Sequence, residues 1–263
     1  MASSPRRTLV SWNVNGIRAA AKKGFLEWLA ACDADIVCLQ ETRALPEQLT
    51  EALRAPEGWH ATWHLGHRKG YSGTAILSRE KPLAITYGVG VPDLDNEGRT
   101  LTAHFPDLTV VNCYFPNGGN DHRRVPFKMR FYEAFQARVE GLRSAERPVL
   151  FGGDVNTAHH PIDLARPAQN KKTTGFLPEE RAWMDRMVES GWIDTFRHVH
   201  GDVPERYSWW TMRNDCRARN VGWRIDYWFA APELAERIEG AEIHDDVFGS
   251  DHCPVSVTVS AAG

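Results

Sequence analysis

The stretch Val149-Leu150-Phe151-Gly152-Gly153-Asp154-Val155-Asn156 is the part of the chain that decides its fold. A short apolar run that ends in glycines predicts a strand buried on both faces of a sheet. Asp154 and Asn156 follow the run at i, i+2 spacing, which puts both side chains on one side of an extended segment. A Gly-Asp-x-Asn sequence taken alone is more often a local turn, so its meaning depends on the rest of the chain.

Two more apolar runs end in polar residues, 9–12 before Asn13 and 36–39 before Gln40-Glu41. Polar groups also occur in Arg224-Ile225-Asp226-Tyr227 and Gly249-Ser250-Asp251-His252. If the strands end together, one cleft gathers side chains from both ends of the chain, namely Asn13, Glu41, Asp154, Asn156, Asp226, Asp251 and His252. Carboxylates, carboxamides and one imidazole supply a hard-cation site and a base without a nucleophilic Ser or Cys. This inventory predicts a metal-assisted phosphodiesterase.

Hydrophobic periodicity predicts many strands with helices between them. We expect strands at 8–13, 35–40, 73–78, 83–89, 100–105, 108–114, 148–152, 207–211, 224–230 and 254–260. We expect helices at 22–31, 46–54, 124–144, 178–190 and 232–239. Neighbouring strands such as 100–105 and 108–114 are typical of hairpins. The pattern therefore favours mixed sheets with outer helices over a purely parallel doubly wound sheet.

At 263 residues, of which 42% are hydrophobic, the chain is long enough for one α/β domain with a large core. The net charge of −3 does not by itself suggest a polyanion partner. Basic residues nevertheless cluster at 123–130, 171–172 and 213–224, which favours a basic cleft that binds nucleic acid selectively. Solvated surface faces are the alternative explanation of these clusters.

Five cysteines without a CxxC pair indicate free thiols in a reducing compartment. The first residues lack an apolar signal region, and no stretch approaches ~18 apolar residues, so we expect a cytoplasmic protein without membrane association. The chain also lacks GxxxxGKS/T, HExxH and GxSxG sequences. The common nucleotide-binding and zinc-hydrolase interpretations therefore have no support.

Three of the candidate residues also have a simpler structural explanation. Glu41 could cap the turn after its strand, Asp226 could form a core ion pair with Arg224, and a lone histidine usually has no catalytic role. Against this, an aspartate that orients an imidazole and stabilises its charged form is a recurrent device. Asp226 and His252 are candidates for such a pair.

Longer segments extend the pattern along almost the whole chain. They are Ser11-Trp12-Asn13-Val14-Asn15-Gly16-Ile17-Arg18, Leu39-Gln40-Glu41-Thr42, Gly70-Tyr71-Ser72-Gly73, Tyr114-Phe115-Pro116-Asn117, Gly153-Asp154-Val155-Asn156-Thr157-Ala158-His159, Ser208-Trp209-Trp210-Thr211, Gly222-Trp223-Arg224-Ile225-Asp226-Tyr227 and Gly249-Ser250-Asp251-His252-Cys253-Pro254. In this order, from Thr8 to Ser260, they resemble the exonuclease III / apurinic–apyrimidinic (AP) endonuclease family of the endonuclease/exonuclease/phosphatase superfamily.

The resemblance implies an α/β (α+β), DNase I-like fold. It would be a four-layered sandwich of two mixed β-sheets packed face to face, with helices on the outer faces and the active site at one edge. A single catalytic domain at 8–260 would follow a flexible N-terminus at 1–7.

The resemblance also implies a DNA-repair hydrolase of the AP endonuclease / exodeoxyribonuclease III type. Such an enzyme would cleave the backbone 5′ to an abasic site to leave a 3′-hydroxyl, with 3′-end cleaning and 3′→5′ exonuclease activity. Its partner would be double-stranded DNA with abasic sites or blocked 3′ ends, and we expect a cytoplasmic, nucleoid-associated monomer. Two rivals are another metal-dependent phosphoesterase of the superfamily, acting on a small phosphoester, and a non-catalytic DNA-binding module.

The same resemblance assigns roles to residues. Mg²⁺, or Mn²⁺ in its place, would be held by residues among Asn13, Glu41, Asp154, Asn156, Asp251 and His252. The implied catalytic residues are Tyr114, Asp154, Asn156, Asp226 and His252, with either Asp154 or His252 as proton acceptor. The implied DNA contacts are Arg18, Tyr71, Asn117, Asn170 and Lys171 on phosphates, and Trp209, Trp210 and Ile225 around a flipped-out sugar. Asn15 departs from the Asp of some relatives, including animal enzymes, so there is one carboxylate fewer and the number of metal ions stays open.

Overall fold

The computed structural model describes residues 6–66, 68–144 and 147–260. Twelve strands in these residues form two six-stranded sheets. The strands are β1 Arg6–Asn13, β2 Ile36–Gln40, β3 His60–His64, β4 Thr74–Ser78, β5 Ala84–Tyr87, β6 Thr100–His104, β7 Thr109–Tyr114, β8 Val149–Asp154, β9 Ile193–Asp194, β10 Asp226–Ala230, β11 Ile238–Ile243 and β12 Val255–Ser260. Their order is β11-β12-β1-β2-β4-β3 in the first sheet and β5-β6-β7-β8-β10-β9 in the second. Both sheets are mixed, because β1–β2 and β7–β8 are parallel and the other pairs are antiparallel.

Helices connect the strands. The α-helices are α1 Ile17–Ala21, α2 Phe25–Ala31, α3 Glu51–Arg54, α4 Pro92–Asp95, α5 Val125–Leu142, α6 Pro178–Glu189 and α7 Thr195–His200. Short 3₁₀ helices lie at Pro46–Gln48, Pro161–Asp163, Pro167–Gln169 and Pro232–Arg237. Among the described residues, no helix has the length and apolar character needed to cross a membrane.

The central strands are covered on both faces. In β2, Ile36 and Cys38 face the second sheet, whereas Val37 and Leu39 pack against α1 and α2. The same alternation in β8 directs Leu150 toward the first sheet and directs Val149 and Phe151 toward α5 and α6. The layers are therefore helix, sheet, sheet and helix, which confirms the four-layered DNase I-like sandwich.

Several element boundaries differ from the sequence prediction. The segment 207–211 is not a strand of either sheet; its Trp209 forms isolated bridges instead. The predicted helix 232–239 is a 3₁₀ helix followed by β11, because from Ile238 the chain pairs with β12. The predicted helix 22–31 begins only at Phe25, because Gly24 adopts a φ of 94°. Leu49 is extended and divides the predicted helix 46–54 into a 3₁₀ turn and α3.

The beginning of the chain is partly outside the described residues. Of the segment 1–7 expected to be flexible, residues 1–5 lie outside them, whereas Arg6 and Arg7 belong to β1 and pair with Ser260 and Val259. The division into a flexible segment and one domain at 8–260 stays a prediction.

Candidate active site

The candidate active site lies where strands of both sheets meet at one edge of the sandwich. Asn13 ends β1, Tyr114 ends β7 and Asp154 ends β8. Asp226 is instead the first residue of β10, which runs antiparallel to β8 and places Asp226 opposite Asp154. The amino end of an antiparallel strand lies beside the carboxyl end of its neighbour, so Asp226 reaches the same edge.

Asn13 joins the two sheets at this edge. Its fully buried Nδ2 donates to Glu41 Oε1 at 2.9 Å and to Asp154 Oδ2 at 2.8 Å. Both amide N–H groups are thereby used to hold two carboxylates together. Glu41 has a φ of 52°, an uncommon left-handed conformation for a residue with a side chain, and it also forms an ion pair with Arg43.

Asn156 orients Asp154. Its backbone N–H donates to Asp154 Oδ1 at 2.8 Å, and its Nδ2 donates to Asp154 Oδ2 at 3.1 Å. Burial raises the pKa of Asp154 to about 7; Asp226 and Glu41 act in the same direction, while His252 and Asn13 oppose it. Asp154 is therefore a carboxylate held in a fixed orientation that gains a proton near neutral pH.

Asp226 and His252 form the pair expected from the sequence. His252 Nδ1 lies 2.8 Å from Asp226 Oδ2, which also accepts a 2.6 Å hydrogen bond from Ser208 Oγ. Burial alone lowers the pKa of His252, but the charges of Asp226 and Asp154 outweigh it and raise the pKa to about 10. The imidazole is therefore positively charged at neutral pH, with its Nε2 3.9 Å from Asp154 Oδ2.

A core ion pair between Asp226 and Arg224 is not formed. The Arg224 guanidinium binds Asp163 at 2.8 Å and Asp194 at 2.7 Å instead. Asp226 is therefore available to pair with His252. One of its oxygens, Oδ1, is buried without a hydrogen-bond partner.

Tyr114 stands beside Glu41 and directly opposite Asp154 in the β7–β8 register. Burial, followed by the charge of Glu41, raises the pKa of Tyr114 well above its usual value. Arg99 lies over the ring, 4.5 Å from its centroid, and donates to the Tyr114 carbonyl at 3.0 Å. The phenol thus keeps its proton and can act as a hydrogen-bond donor.

Asp251 closes the other side of the cleft. Its Oδ1 accepts a 2.8 Å bond from Asn15 Nδ2, and its Oδ2 accepts a 3.1 Å bond from Trp209 Nε1. Although burial raises the pKa of Asp251, the charge of His252 and these two donors outweigh it and lower the pKa below its usual value.

These residues fit a divalent cation. Glu41, Asp154 and His252 are buried, and each offers a ligand atom within 4.8 Å of the others. The carboxyl groups of Glu41, Asp154 and Asp251 line the cleft together with the positive charges of Arg43 and His252, and Asp226 pairs with His252 from behind. Carboxylate oxygens are the protein ligands that suit Mg²⁺ and Mn²⁺. The imidazolium charge of His252 makes the carboxylates the better ligands.

The cleft contains a cavity of about 380 Å³ with one apolar wall. Trp209, Trp223 and Ile225 line this wall, and Leu164 and Phe176 pack behind it. Trp209 and Trp223 exchange both backbone hydrogen bonds at 2.9 Å. Residues paired in this way direct their side chains to the same face.

Trp210 does not belong to this wall, and its predicted place there is corrected. Because side chains alternate along an extended segment, Trp210 points away from Trp209. It is 3% exposed within the core, donates from Nε1 to Asn220 Oδ1 at 3.1 Å and lies beneath the Arg217 guanidinium. Trp223 occupies the position predicted for Trp210.

Of the five predicted phosphate contacts, one lines the cavity and four do not. Asn117 lines it and donates to Asn156 Oδ1 at 3.0 Å. Arg18 and Lys171 are exposed and Asn170 is half-buried; these three residues do not line the cavity. Tyr71, which also lies outside the lining, is held by Arg99 at 2.7 Å. The cleft also includes residues that the sequence analysis did not select, namely Arg43, Asn120, Thr173, Thr174, Gly175 and Trp223.

A second group of metal-binding type lies outside the cleft, at His159, His160 and Asp185. His159 Nε2 and Asp185 Oδ1 are 2.8 Å apart. This hydrogen bond accounts for their proximity. Burial lowers the pKa of His159, so the bond joins a neutral imidazole to the carboxylate.

Comparison with known proteins agrees with this geometry. The model of the Endonuclease/Exonuclease/phosphatase family matches residues 10–252. The chain belongs to this family. It is 44% identical to an exodeoxyribonuclease of Bacillus subtilis (strain 168), over 96% of this chain and 99% of that protein. It is 40% identical to the DNA repair nuclease APEX1 of Danio rerio, over 95% of this chain and 81% of that protein.

A solved structure supports the same assignment of fold and family. The AP endonuclease LMAP from Leishmania major superposes with a TM-score of 0.88 at 28% identity, covering 97% of this chain and 88% of that chain. Membership of the family confirms the resemblance identified from the sequence motifs.

Proposed function

We propose that this protein is a metal-dependent DNA-repair nuclease that cleaves the backbone 5′ to abasic sites and leaves a 3′-hydroxyl. We include 3′-end cleaning and 3′→5′ exonuclease activity in the proposal. The observation that carries it is the buried Asn13 bridge between Glu41 and Asp154, beside the Asp226–His252 pair and next to an apolar cavity wall. This arrangement combines phosphodiester chemistry with a pocket for an uncharged sugar.

Glu41, with Asp251 and Asn13 directly or through water, would hold the cation beside Asp154, and we propose Mg²⁺ with Mn²⁺ as a substitute. The ion would neutralise phosphate charge and stabilise the leaving oxyanion. Asn13 would keep the carboxyl groups of Glu41 and Asp154 at a fixed separation, because its one buried amide group binds both of them.

Asp154 is the better proton acceptor of the two candidates. His252 is already protonated at neutral pH, since Asp226 and Asp154 raise its pKa to about 10. Asp154 is held by two N–H groups of Asn156, which would direct the carboxylate toward the attacking water. A base with a pKa near the working pH is also the most effective one.

His252 and Tyr114 would donate hydrogen bonds to the phosphate oxygens. The Nδ1 of His252 is occupied by Asp226, which leaves the Nε2 proton for the substrate. Tyr114 keeps its phenolic proton because burial and Glu41 raise its pKa. Donors fixed in advance toward developing negative charge are a major source of rate enhancement.

The apolar wall favours a sugar that carries no base. An abasic nucleotide has lost its pairing, so rotating it out of the helix costs less than rotating out a normal nucleotide by roughly a few kcal/mol. Trp209, Trp223 and Ile225 would contact the sugar, and Asn117 at the cavity would contact a flanking phosphate. Arg18, Tyr71, Asn170 and Lys171 would bind phosphates farther along the duplex, which positions DNA without selecting its sequence.

The test uses the purified protein and an end-labelled duplex with one abasic site, in Mg²⁺ or in EDTA. We expect one Mg²⁺-dependent cut 5′ to the lesion, with a product that a polymerase extends, and slower action on an intact duplex. Hydrolysis of inositol phosphates without nicking would instead identify a small-phosphoester enzyme. Binding of the abasic duplex without cleavage in Mg²⁺ would identify a DNA-binding module.

A further inference from the structure

An ion pair is buried behind the active site, between α5 and α6. Lys128 of α5 and Glu180 of α6 are both 0% exposed, and Lys128 Nζ donates to Glu180 Oε1 at 2.8 Å. Burying two charges is costly, and apolar residues of similar volume often stabilise a protein as well or better. The contacts of the pair therefore point to a role beyond stability.

Lys128 holds the segment that orients Asp154. Besides Glu180, its Nζ donates to the Asn156 carbonyl at 2.7 Å and to Thr157 Oγ1 at 2.8 Å, so all three ammonium protons are used. Asn156 has a φ of 55°, a left-handed conformation that asparagine adopts more readily than most residues. The same residue supplies both N–H groups that fix Asp154.

Glu180 holds the opposite rim of the cleft. Its Oε2 accepts from the backbone N–H groups of Gly175 at 2.5 Å and Leu177 at 2.9 Å, and its Oε1 accepts from Thr174 Oγ1 at 2.7 Å. Thr174 and Gly175 line the cavity. The Gly175 carbonyl in turn accepts a 2.8 Å bond from the N–H of Ala158, two residues after Asn156.

We infer that Lys128 and Glu180 form a positioning pair, which fixes the position of the cleft rim at 173–175 relative to Asn156 and hence to Asp154. Neither residue touches the cavity, so the pair acts through the residues it holds. The expected effect of the pair on cleavage rate rests on the proposed nuclease function, whereas its effect on the position of the rim rests on geometry alone.

The test is the double variant Lys128→Met/Glu180→Gln. It leaves no unpaired buried charge, and the glutamine keeps an oxygen for the N–H groups of Gly175 and Leu177. The matched control is Arg186→Met, which removes an exposed ion pair with Glu133 between the same two helices. Melting temperature, abasic-duplex affinity, single-turnover cleavage rate and amide exchange at Ala158 and Gly175 are measured for both variants.

We expect the cleavage rate of the double variant to fall roughly 10- to 100-fold, the range for residues that orient a site from behind, while affinity changes much less. Amide exchange at Ala158 and Gly175 should accelerate, and the control should change neither quantity. A double variant with the wild-type rate, or one that loses rate only in proportion to its unfolded fraction, would overturn the inference. If wild-type protein cleaves no DNA, the proposed function fails, and amide exchange alone decides: acceleration supports the positioning role and unchanged exchange overturns it.

Discussion

The choice between an abasic and an intact nucleotide should depend on Trp223 and not on Trp210. Trp223 lines the cavity and is only half-buried, whereas Trp210 is 3% exposed in the core. Replacing each by alanine removes the same side chain from two different environments. The pair of variants therefore separates recognition from stability.

The magnitudes follow from burial. Trp210→Ala should cost about 3–5 kcal/mol, as for other buried tryptophans. In a chain of this size that lowers the melting temperature by roughly 6–20 °C. Trp223→Ala should cost less, about 1–2 kcal/mol. Its loss opens the wall beside Trp209 and Ile225, and apolar contacts of this kind discriminate substrates by roughly 10- to 100-fold.

The assay measures single-turnover rates on matched abasic and intact duplexes, beside the melting temperature of each variant. We expect Trp223→Ala to reduce the abasic-to-intact ratio while most stability remains. We expect Trp210→Ala to keep the ratio in a destabilised protein. A ratio unchanged in Trp223→Ala would refute the assignment of the wall, and so would a ratio that falls only in Trp210→Ala.

Three further predictions concern the cation, the proton acceptor and the DNA contacts. Glu41→Ala or excess EDTA should reduce turnover by orders of magnitude with the fold intact by circular dichroism; nicking that persists in EDTA would exclude a metal role. Cleavage should require Asp154 in its unprotonated form, so the rate should fall as the pH drops through the pKa of Asp154, which is about 7 without metal and is lowered by a bound cation. Cleavage should also require protonated His252, so the rate should fall as the pH rises through the pKa of His252, about 10. The kcat profile should therefore fall on both sides, and Asp226→Asn should move the alkaline limb to lower pH, which an unshifted limb would contradict. Log affinity for DNA should fall with log salt by roughly 0.9 per phosphate contacted, and a flat titration would argue against basic contacts.

The strand ends could be predicted from the sequence because a strand buried on both faces is a continuous apolar run, and the run stops where the strand ends. Apolar runs that stop at Asn13, Glu41 and Asp154 mark the ends of strands, where polar side chains gather at one edge of the sandwich. Short elements were harder to anticipate. β11 is paired with β12 although its residues follow a helix-like segment, because cross-strand contacts outweigh local preference.

The sequence pattern by itself determined mixed sheets with outer helices and the polar residues at the strand ends, because alternation and strand ends are local properties of the chain. The four-layered arrangement of the sheets was implied by the family resemblance and not by the pattern. Only the tertiary structure decided which residues stand together: Trp223 beside Trp209, Arg224 with Asp163 and Asp194, and Lys128 with Glu180. These pairs depend on the register of distant segments and on the packing of helices against a sheet. The spacing of residues along one segment does not determine the register of distant segments or the packing of helices against a sheet.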